Sequence, residues 1–253
     1  MPTDAAPVEL AFSRLAGDET SPRLLLVGPS LGTAVAPLWR DCAKQLANVE
    51  VIGWDLPGHG KSGPASGGFQ VEDLAAAVRS HASEKAAGRP VGYAGVSLGG
   101  AVGFALALEP GLVEQVVAIA AVPQMGIAYA GYWNGRGTEA RSVGTAPIVE
   151  GAASRWFTPD FAERNPEVAD ELLTSLADAD DESYALACEA LARFDPGEDM
   201  SAASVPVHIT VGDHDHIVPR EPGMDVFAGC AHLPPPEDPR AVAAYLVEKG
   251  LAA

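Results

Sequence analysis

Basic side chains are scarce in this chain. Its 253 residues include 16 lysines and arginines against 34 aspartates and glutamates, so the formal net charge is -18 at pH 7. A surface with that charge repels nucleic-acid phosphates and anionic membranes, and we expect neither among its partners. Because the acids are spread along the chain rather than held in one block, they indicate a solvated surface and no particular function.

Cysteine is rare as well. The three cysteines, Cys42, Cys188 and Cys230, are far apart and form no C-x-x-C pair. An odd number of separated cysteines predicts reduced thiols in a cytoplasmic protein rather than a disulfide framework. Residues 1–15 contain acids but neither a basic segment nor an apolar run, so we expect no signal peptide and no membrane anchor.

Apolar, β-rich stretches alternate with helical patterns along the chain. That alternation predicts an α/β fold, a mostly parallel sheet with helices on both faces. With 47% hydrophobic residues, the chain can bury a core without disulfides or metal, and its length fits one large α/β unit. The predicted strands are residues 8–15, 23–27, 49–54, 91–96, 116–119 and 207–211.

The strand pattern stops near Ala121 and a long helical stretch follows. Apolar residues recur there at helical spacing, which predicts helices at residues 146–156, 166–177 and 181–193. We interpret the stretch as an inserted cap. The predicted division is therefore a first core segment at 1–123, a cap at 124–203 and a second core segment at 204–253 that ends in an amphipathic helix at 238–249.

The strongest functional signal is the sequence GVSLG at residues 95–99, a G-x-S-x-G pattern. It lies where the predicted strand gives way to a helix of small residues, the context that a nucleophile elbow requires. In such a turn the serine is strained and held at the top of the sheet, and small neighbours avoid clashes with strand and helix. We therefore predict Ser97 as the nucleophile.

A serine hydroxyl needs a base to take its proton, and the base needs an acid to orient it. In this kind of site the acid and the histidine follow the serine along the chain. Asp215 follows the predicted strand at 207–211, and His232 comes shortly before the terminal helix. We assign Asp215 as the acid and His232 as the base, and Asp213 stays open as an alternative acid.

Histidines and aspartates alternate at residues 213–216, a set of side chains that also suits a divalent metal. We favour no metal and no cofactor, since an activated serine needs none and no other cluster of metal ligands is visible. His59 lies in a turn rich in proline and glycine, where a polar side chain satisfies backbone groups. We predict a structural role for it.

The oxyanion that forms on an attacked carbonyl needs two preorganised N–H donors. One comes from the residue after the nucleophile and the other from the loop after an early strand. Leu98 fits the first position. The loop GPSLGT at residues 28–33 fits the second, and we assign its donor to the backbone of Leu31.

Four segments together resemble the 3-oxoadipate enol-lactonase family of α/β-hydrolases. They are GPSLGT at 28–33, DLPGHGKS at 55–62, GVSLGG at 95–100 and HLPP at 232–235. The likeness covers nearly the whole chain, including cap segments at 155–159 and 184–191. It implies the α/β-hydrolase fold, with a helical cap inserted after the sixth strand.

The resemblance also implies a substrate, a five-membered enol-lactone with a carboxylate arm from bacterial aromatic-acid breakdown, which would be opened to 3-oxoadipate. The arm would need a cation or hydrogen-bond donors in the cap. The candidate substrate-binding residues are Ser30 of the 28–33 loop and, in the cap, Trp133, Trp156 and Arg136 or Arg155. A surface arginine beside a packed tryptophan is an equally open interpretation. We expect a monomer or a small homo-oligomer.

Two features depart from the family pattern. Only 17 positions separate Asp215 from His232, about one helix fewer than in family members. We therefore predict a thinned sheet edge in which residues 225–228 pair through a loop, with either a displaced His232 or a triad of different local geometry. In addition, residues 120–123 are more apolar than a lactonase suggests.

Two alternatives to the enol-lactonase hypothesis follow from these departures. The first is a carboxylesterase or lactonase with a different small substrate. The second is a non-catalytic ligand-binding protein on the same scaffold, since a fold does not fix a function.

Overall fold

A mixed sheet forms the centre of the protein, which we describe from a computed structural model covering residues 7–123, 126–197 and 200–252. Within those residues the sheet has seven strands, in the order β1-β3-β2-β4-β5-β6-β7. β1 runs antiparallel to β3, and the other neighbouring pairs are parallel. The strands are β1 Phe12–Ala16, β2 Leu24–Gly28, β3 Glu50–Trp54, β4 Val91–Val96, β5 Val113–Ile119, β6 Val207–Gly212 and β7 Asp225–Phe227.

Helices cover this sheet because its central strands are apolar on both faces. β2, with the sequence LLLVG, and β4, with VGYAGV, are buried along their whole length, as expected for parallel strands between two helical layers. Two groups of helices provide the cover: α2 packs against α3, and α1 packs against α9 and α10. The core helices are α1 Val35–Ala43, α2 Val71–Ala86, α3 Leu98–Leu108, α9 Pro234–Glu237 and α10 Pro239–Glu248.

The remaining helices lie between β5 and β6, and we call them the cap helices. They are α4 Gly126–Val143, α5 Ala152–Trp156, α6 Phe161–Arg164, α7 Pro166–Ala177 and α8 Asp181–Arg193, with 3₁₀ turns at Ala146–Val149 and Met200–Ala202. Among the described residues no helix is both long and apolar enough to cross a bilayer.

The cap helices follow β5, the fifth strand of the described chain. The expected position of the cap, after a sixth strand, is therefore wrong by one strand. The N-terminal segment contributes a single described strand, β1, which pairs directly with β3. Residues 124–125, at the start of the predicted cap, lie outside the described residues, as do 1–6, 198–199 and 253. The division of the chain into core and cap segments remains a prediction.

Two of the three predicted cap helices are confirmed, at Pro166–Ala177 and Asp181–Arg193. The predicted helix at 146–156 is wrong, because the chain forms a 3₁₀ turn, leaves it, and then forms α5. The break is at Gly151, whose φ of 79° is left-handed and cannot continue a right-handed helix. α4 was not predicted.

The far edge of the sheet is thin, as expected. β7 has three residues and pairs in parallel with β6, and residues 213–224 between them form turns without a helix. The carboxyl ends of β2, β4 and β6 point the same way, so the loops that follow them meet at one edge of the sheet. Leu31, Ser97 and Asp215 lie on those loops.

Candidate active site

Ser97 lies in the turn between β4 and α3 with strained backbone angles. Its φ is 54° and its ψ is -112°, a conformation in which the Cβ crowds the chain and which persists only when the surroundings impose it. Those surroundings include a hydrogen bond of 2.8 Å from the Ser97 N–H to the Ile119 carbonyl of β5. The side chain is nearly buried, at 6% exposure, and lines a cavity.

Glycines make this turn possible because strand, turn and helix pass very close together. A Cβ at Gly95 would collide with the backbone of Gly99, and one at Gly100 would lie 2.5 Å from the Cβ of Ala121. A Cβ at Gly99 would lie 2.5 Å from the carbonyl oxygen of Pro29. The small residues of the GVSLG motif are therefore required by backbone packing.

His232 and Asp215 form a buried pair. His232 Nδ1 lies 2.9 Å from Asp215 Oδ2, and Asp215 Oδ1 accepts hydrogen bonds from the N–H groups of Ile217 and Val218 at 2.7 and 3.0 Å. Burial raises the pKa of Asp215, but the His232 imidazole and the two N–H groups outweigh it, so the net pKa lies below the usual range. His232 therefore keeps its contact with Asp215 across the short connection.

The alternative acid, Asp213, lies elsewhere. Its Oδ1 accepts a hydrogen bond of 2.7 Å from the Gly229 N–H and lies 3.8 Å from His214 Nε2. Asp213 therefore supports the loop after β7, while Asp215 contacts His232. In the described part of the chain, no group of three His, Cys, Asp or Glu side chains is arranged to hold a metal ion.

The two positions assigned to the oxyanion donors are tied to each other. Leu98 is the first residue of α3, where a backbone N–H has no partner in a preceding turn. Leu31 lines the same cavity as Ser97, in a turn closed by a bond of 3.1 Å from the Thr33 N–H to the Ser30 carbonyl. The Gly99 N–H donates to the Pro29 carbonyl at 2.9 Å and so joins this turn to the elbow.

One narrow cavity collects the remaining candidates. Ser30, Trp133, Arg136, Arg155 and Trp156 all line it, together with Ser97 and His232. Its free volume is small, about 30 Å³. Sequence reasoning missed other residues of the lining: Tyr132, Ile148, Leu176, Tyr184 and Ile217. For most of them the only sequence signal was apolar or aromatic character in a helical segment, which equally fits packing.

The two arginines of the cavity differ in their partners. Arg136 donates to the Tyr132 hydroxyl at 3.0 Å and pairs with Glu139 at 3.2 Å. Arg155 donates to the Ile148 carbonyl at 3.3 Å, and no carboxylate of the described residues forms a salt bridge with it. Trp133 adds a buried indole N–H without a partner in the described structure. Arg155 and Trp133 are therefore two donors of the cavity that have no acidic partner among the described residues.

His59 lies behind the cavity rather than in it. Its Nδ1 lies 2.8 Å from the Pro57 carbonyl, and its ring stacks on Tyr184 with 6.0 Å between centroids. Burial lowers the pKa of His59 to about 4, so it is neutral at pH 7. These contacts agree with the structural role expected for this residue.

Comparisons with known proteins identify the family of this chain. The profile of the alpha/beta hydrolase family matches residues 24–245. The curated 3-oxoadipate enol-lactonase 2 of Acinetobacter baylyi is 31% identical over 210 residues, which cover 83% of this chain and 76% of that enzyme.

Solved structures give the same picture. The enol-lactonase from Burkholderia xenovorans superposes with a TM-score of 0.84 at 25% identity, covering 94% of this chain and 95% of that one. A thermophilic esterase from Thermogutta terrifontis superposes with a TM-score of 0.86 at 22% identity, covering 99% and 97%. From its sequence, its fold and the order of its motifs, the chain belongs to the α/β-hydrolase family.

Proposed function

We propose that this protein hydrolyses a small carboxylic ester, and specifically a carboxylate-bearing enol-lactone of the 3-oxoadipate type. The observation that carries the proposal is a single cavity lined by a strained Ser97, by His232 in its pair with Asp215, and by an arginine without a carboxylate partner. The first three groups suit attack on a carbonyl carbon, and the arginine suits a substrate that carries a negative charge.

In the proposed reaction Ser97 Oγ attacks the lactone carbonyl while His232 Nε2 takes the hydroxyl proton. Asp215 holds the Nδ1–H, which fixes the tautomer and stabilises the imidazolium. The backbone N–H groups of Leu31 and Leu98 receive the negative charge on the carbonyl oxygen. The ring oxygen then leaves, the leaving enolate takes the proton that His232 received from Ser97, and the enol so formed becomes a ketone, which returns His232 to its neutral form. Water activated by His232 releases the acid from Ser97 and restores the hydroxyl.

The carboxylate arm is assigned to Arg155 and Trp133. A guanidinium and an indole N–H in a narrow, largely buried cavity form stronger hydrogen bonds to a carboxylate than they would at the surface, because the local dielectric is lower. Ser30, Arg136 and Trp156 complete the wall around it. The enol-lactonases of Acinetobacter baylyi and Burkholderia xenovorans support this substrate class, and bacterial breakdown of aromatic acids is the setting that we infer from them.

The test follows the ultraviolet absorbance of 3-oxoadipate enol-lactone with the wild type and with Ser97→Ala. We expect turnover by the wild type and a loss of at least about 10³-fold in the variant, since the residual rate comes from the oxyanion donors and binding alone. Absence of wild-type turnover, alongside cleavage of an aryl ester, would reject the lactone and keep the serine hydrolase.

A carboxylesterase acting on a neutral ester is the second candidate. The apolar wall formed by Ile148, Leu176 and Ile217 favours it, because these side chains offer nothing to a charged arm. A phosphonate probe distinguishes both hydrolases from a non-catalytic binding protein, since labelling of Ser97 requires an activated hydroxyl. No labelling at neutral pH would exclude both enzymes.

A further inference from the structure

The loop that carries His232 has little regular structure to hold it. β7 contributes three residues, and the chain reaches it from β6 through turns alone. His232 nevertheless lies 2.9 Å from Asp215 with only 2% of its surface exposed. The turn after β6 holds the start of this loop, since Asp213 accepts a bond from the Gly229 N–H and the His214 N–H donates to the Cys230 carbonyl, so the remaining question is what holds the residues next to His232.

The contacts of the residues beside His232 identify the support. Ala231, which precedes it, donates its backbone N–H to Glu237 Oε2 at 2.5 Å. Leu233, which follows it, donates its N–H to the Trp156 carbonyl at 3.2 Å. Both flanks of His232 are thus held by groups outside its own loop.

Glu237 also reaches the cap. Its Oε1 accepts two hydrogen bonds of 2.7 Å from Thr158, one from the backbone N–H and one from the hydroxyl. Thr158 lies two residues after Trp156, which lines the cavity and accepts the bond from Leu233. One carboxylate therefore joins the residue before His232 to the end of the cap segment that forms the cavity wall.

The chemistry of these bonds requires a carboxylate. Three donors point at two oxygens, and a glutamine would turn its amide NH₂ toward at least one of them. Burial raises the pKa of Glu237 above its usual value, although the hydrogen bonds from Thr158 and Ala231 partly offset this effect, and none of the described salt bridges involves this carboxylate. A buried carboxylate without a cation is costly unless hydrogen bonds satisfy it, and these three bonds are the ones that do so for Glu237.

We propose that Glu237 is a positioning residue: its bonds to Ala231 and Thr158 hold the His232 loop against Asp215 and the cap, in place of the helix that the short connection lacks. This inference rests on the proposed function, in which His232 is the base. It goes beyond that function by assigning the alignment of the base to a carboxylate that touches neither the substrate nor Ser97.

The test compares Glu237→Gln, Glu237→Leu and Thr158→Val with the wild type, and uses the exposed Glu163→Gln as a matched control. Kinetics are measured on 4-nitrophenyl acetate, so the result does not depend on the identity of the natural substrate. The downfield proton resonance of the His232 Nδ1–H reports the contact with Asp215, and its loss in Asp215→Asn assigns it. Circular dichroism checks the fold of each variant.

We expect kcat to fall about 10²-fold in Glu237→Leu and about tenfold in Glu237→Gln, with KM little changed, because a base displaced by about 1 Å is a poor acceptor. The Nδ1–H resonance should broaden or vanish in the same order, and Thr158→Val should show a smaller effect on both. Glu163→Gln should match the wild type.

A folded Glu237→Gln variant with wild-type kcat and an unchanged resonance would overturn the inference, and so would such a result for Glu237→Leu. If Glu237→Leu fails to fold, the kcat values and resonances of Glu237→Gln and Thr158→Val test the inference instead. A wild type that cleaves no ester but shows the resonance would reject the proposed function, and loss of that resonance in the Glu237 variants would still support the positioning role.

Discussion

Replacing Gly99 by alanine tests whether backbone packing aligns the nucleophile with the oxyanion loop. A Cβ at this position would lie 2.5 Å from the Pro29 carbonyl oxygen and 2.8 Å from the Gly28 carbonyl carbon. Both are backbone atoms, so neither can rotate away, and the 28–33 loop must shift. The same loop carries Leu31, one of the two proposed donors.

Two opposing effects determine how much Gly99→Ala changes the free energy of unfolding. Alanine gains about 0.5 to 1 kcal/mol over glycine in a helix, whereas overpacking a filled site costs about 1–3 kcal/mol. We expect a net loss of about 1–2 kcal/mol, which lowers the melting temperature of a chain this size by about 2–8 °C. Because a shift of about 1 Å in a catalytic group costs about 10²-fold, kcat should fall by that order.

Differential scanning calorimetry and the hydrolysis of 4-nitrophenyl acetate measure the two effects. Gly63→Ala is the matched control, since a Cβ there would meet nothing within 4 Å, and we expect wild-type values for it. Wild-type kcat in Gly99→Ala, with or without a change in melting temperature, would refute the argument that this contact aligns the loop.

Three further predictions concern charged groups. Asp215→Asn should lower kcat on the order of 10⁴-fold in the ester assay. Because the folded pKa of Asp215 lies below its ordinary value of 3.8, its contribution to stability is present above that pH and is lost as the pH falls through the folded value. Urea unfolding from pH 7 to pH 2 should therefore show that the stability difference between the wild type and Asp215→Asn shrinks once the pH falls below 3.8. Arg155→Met should raise KM for the carboxylate-bearing lactone about 10- to 100-fold and leave KM for a neutral ester nearly unchanged, and equal changes for both substrates would contradict the assigned role. Arg89→Met should lower the free energy of unfolding by about 3 kcal/mol with little change in kcat. The reason is that Arg89 lies 2.9 Å from the carboxylate of Glu50, a residue that is only 1% exposed. A loss of less than about 1 kcal/mol would show that Arg14 alone satisfies that carboxylate.

Local sequence signals predicted the parts of the fold in which pattern and packing agree. α7 begins at a proline and α8 follows Asp180, whose side chain accepts from the Ser183 N–H as a helix cap. These are start signals that a sequence displays directly. The short strand β7 was also predictable, because the length of the 213–224 connection excludes a covering helix.

α4 was missed because its sequence argues against a helix. Gly126, Gly131, Gly135 and Gly137 lie within it, and each glycine weakens a helix by up to about 1 kcal/mol relative to alanine. Packing overrides this propensity, since α4 lies against α8. At Gly137 a Cβ would lie 3.1 Å from the Ala185 carbonyl, so the glycine permits the close approach.

Some residues of the candidate site could likewise be predicted from the sequence, and others could not. Ser97, Asp215 and His232 could be predicted from a motif and from their order along the chain, both of which the linear sequence displays. Glu237 could not be recognised from the sequence alone, because its meaning depends on Thr158, 79 positions away. The difference between Arg136 and Arg155 also needed three dimensions, since only the folded chain shows which of them already has an acidic partner.

The small volume of the cavity has a consequence for how this enzyme would respond to change. A substrate that needs more than this free volume of about 30 Å³ must move side chains of the cavity wall, and the molecules in which they have moved form the open fraction that is competent to bind. The apparent dissociation constant then equals the intrinsic constant divided by the open fraction. Substitutions in the cavity wall, for example at Ile148 or Leu176, that raise this open fraction should therefore tighten apparent binding, and those that lower it should weaken it.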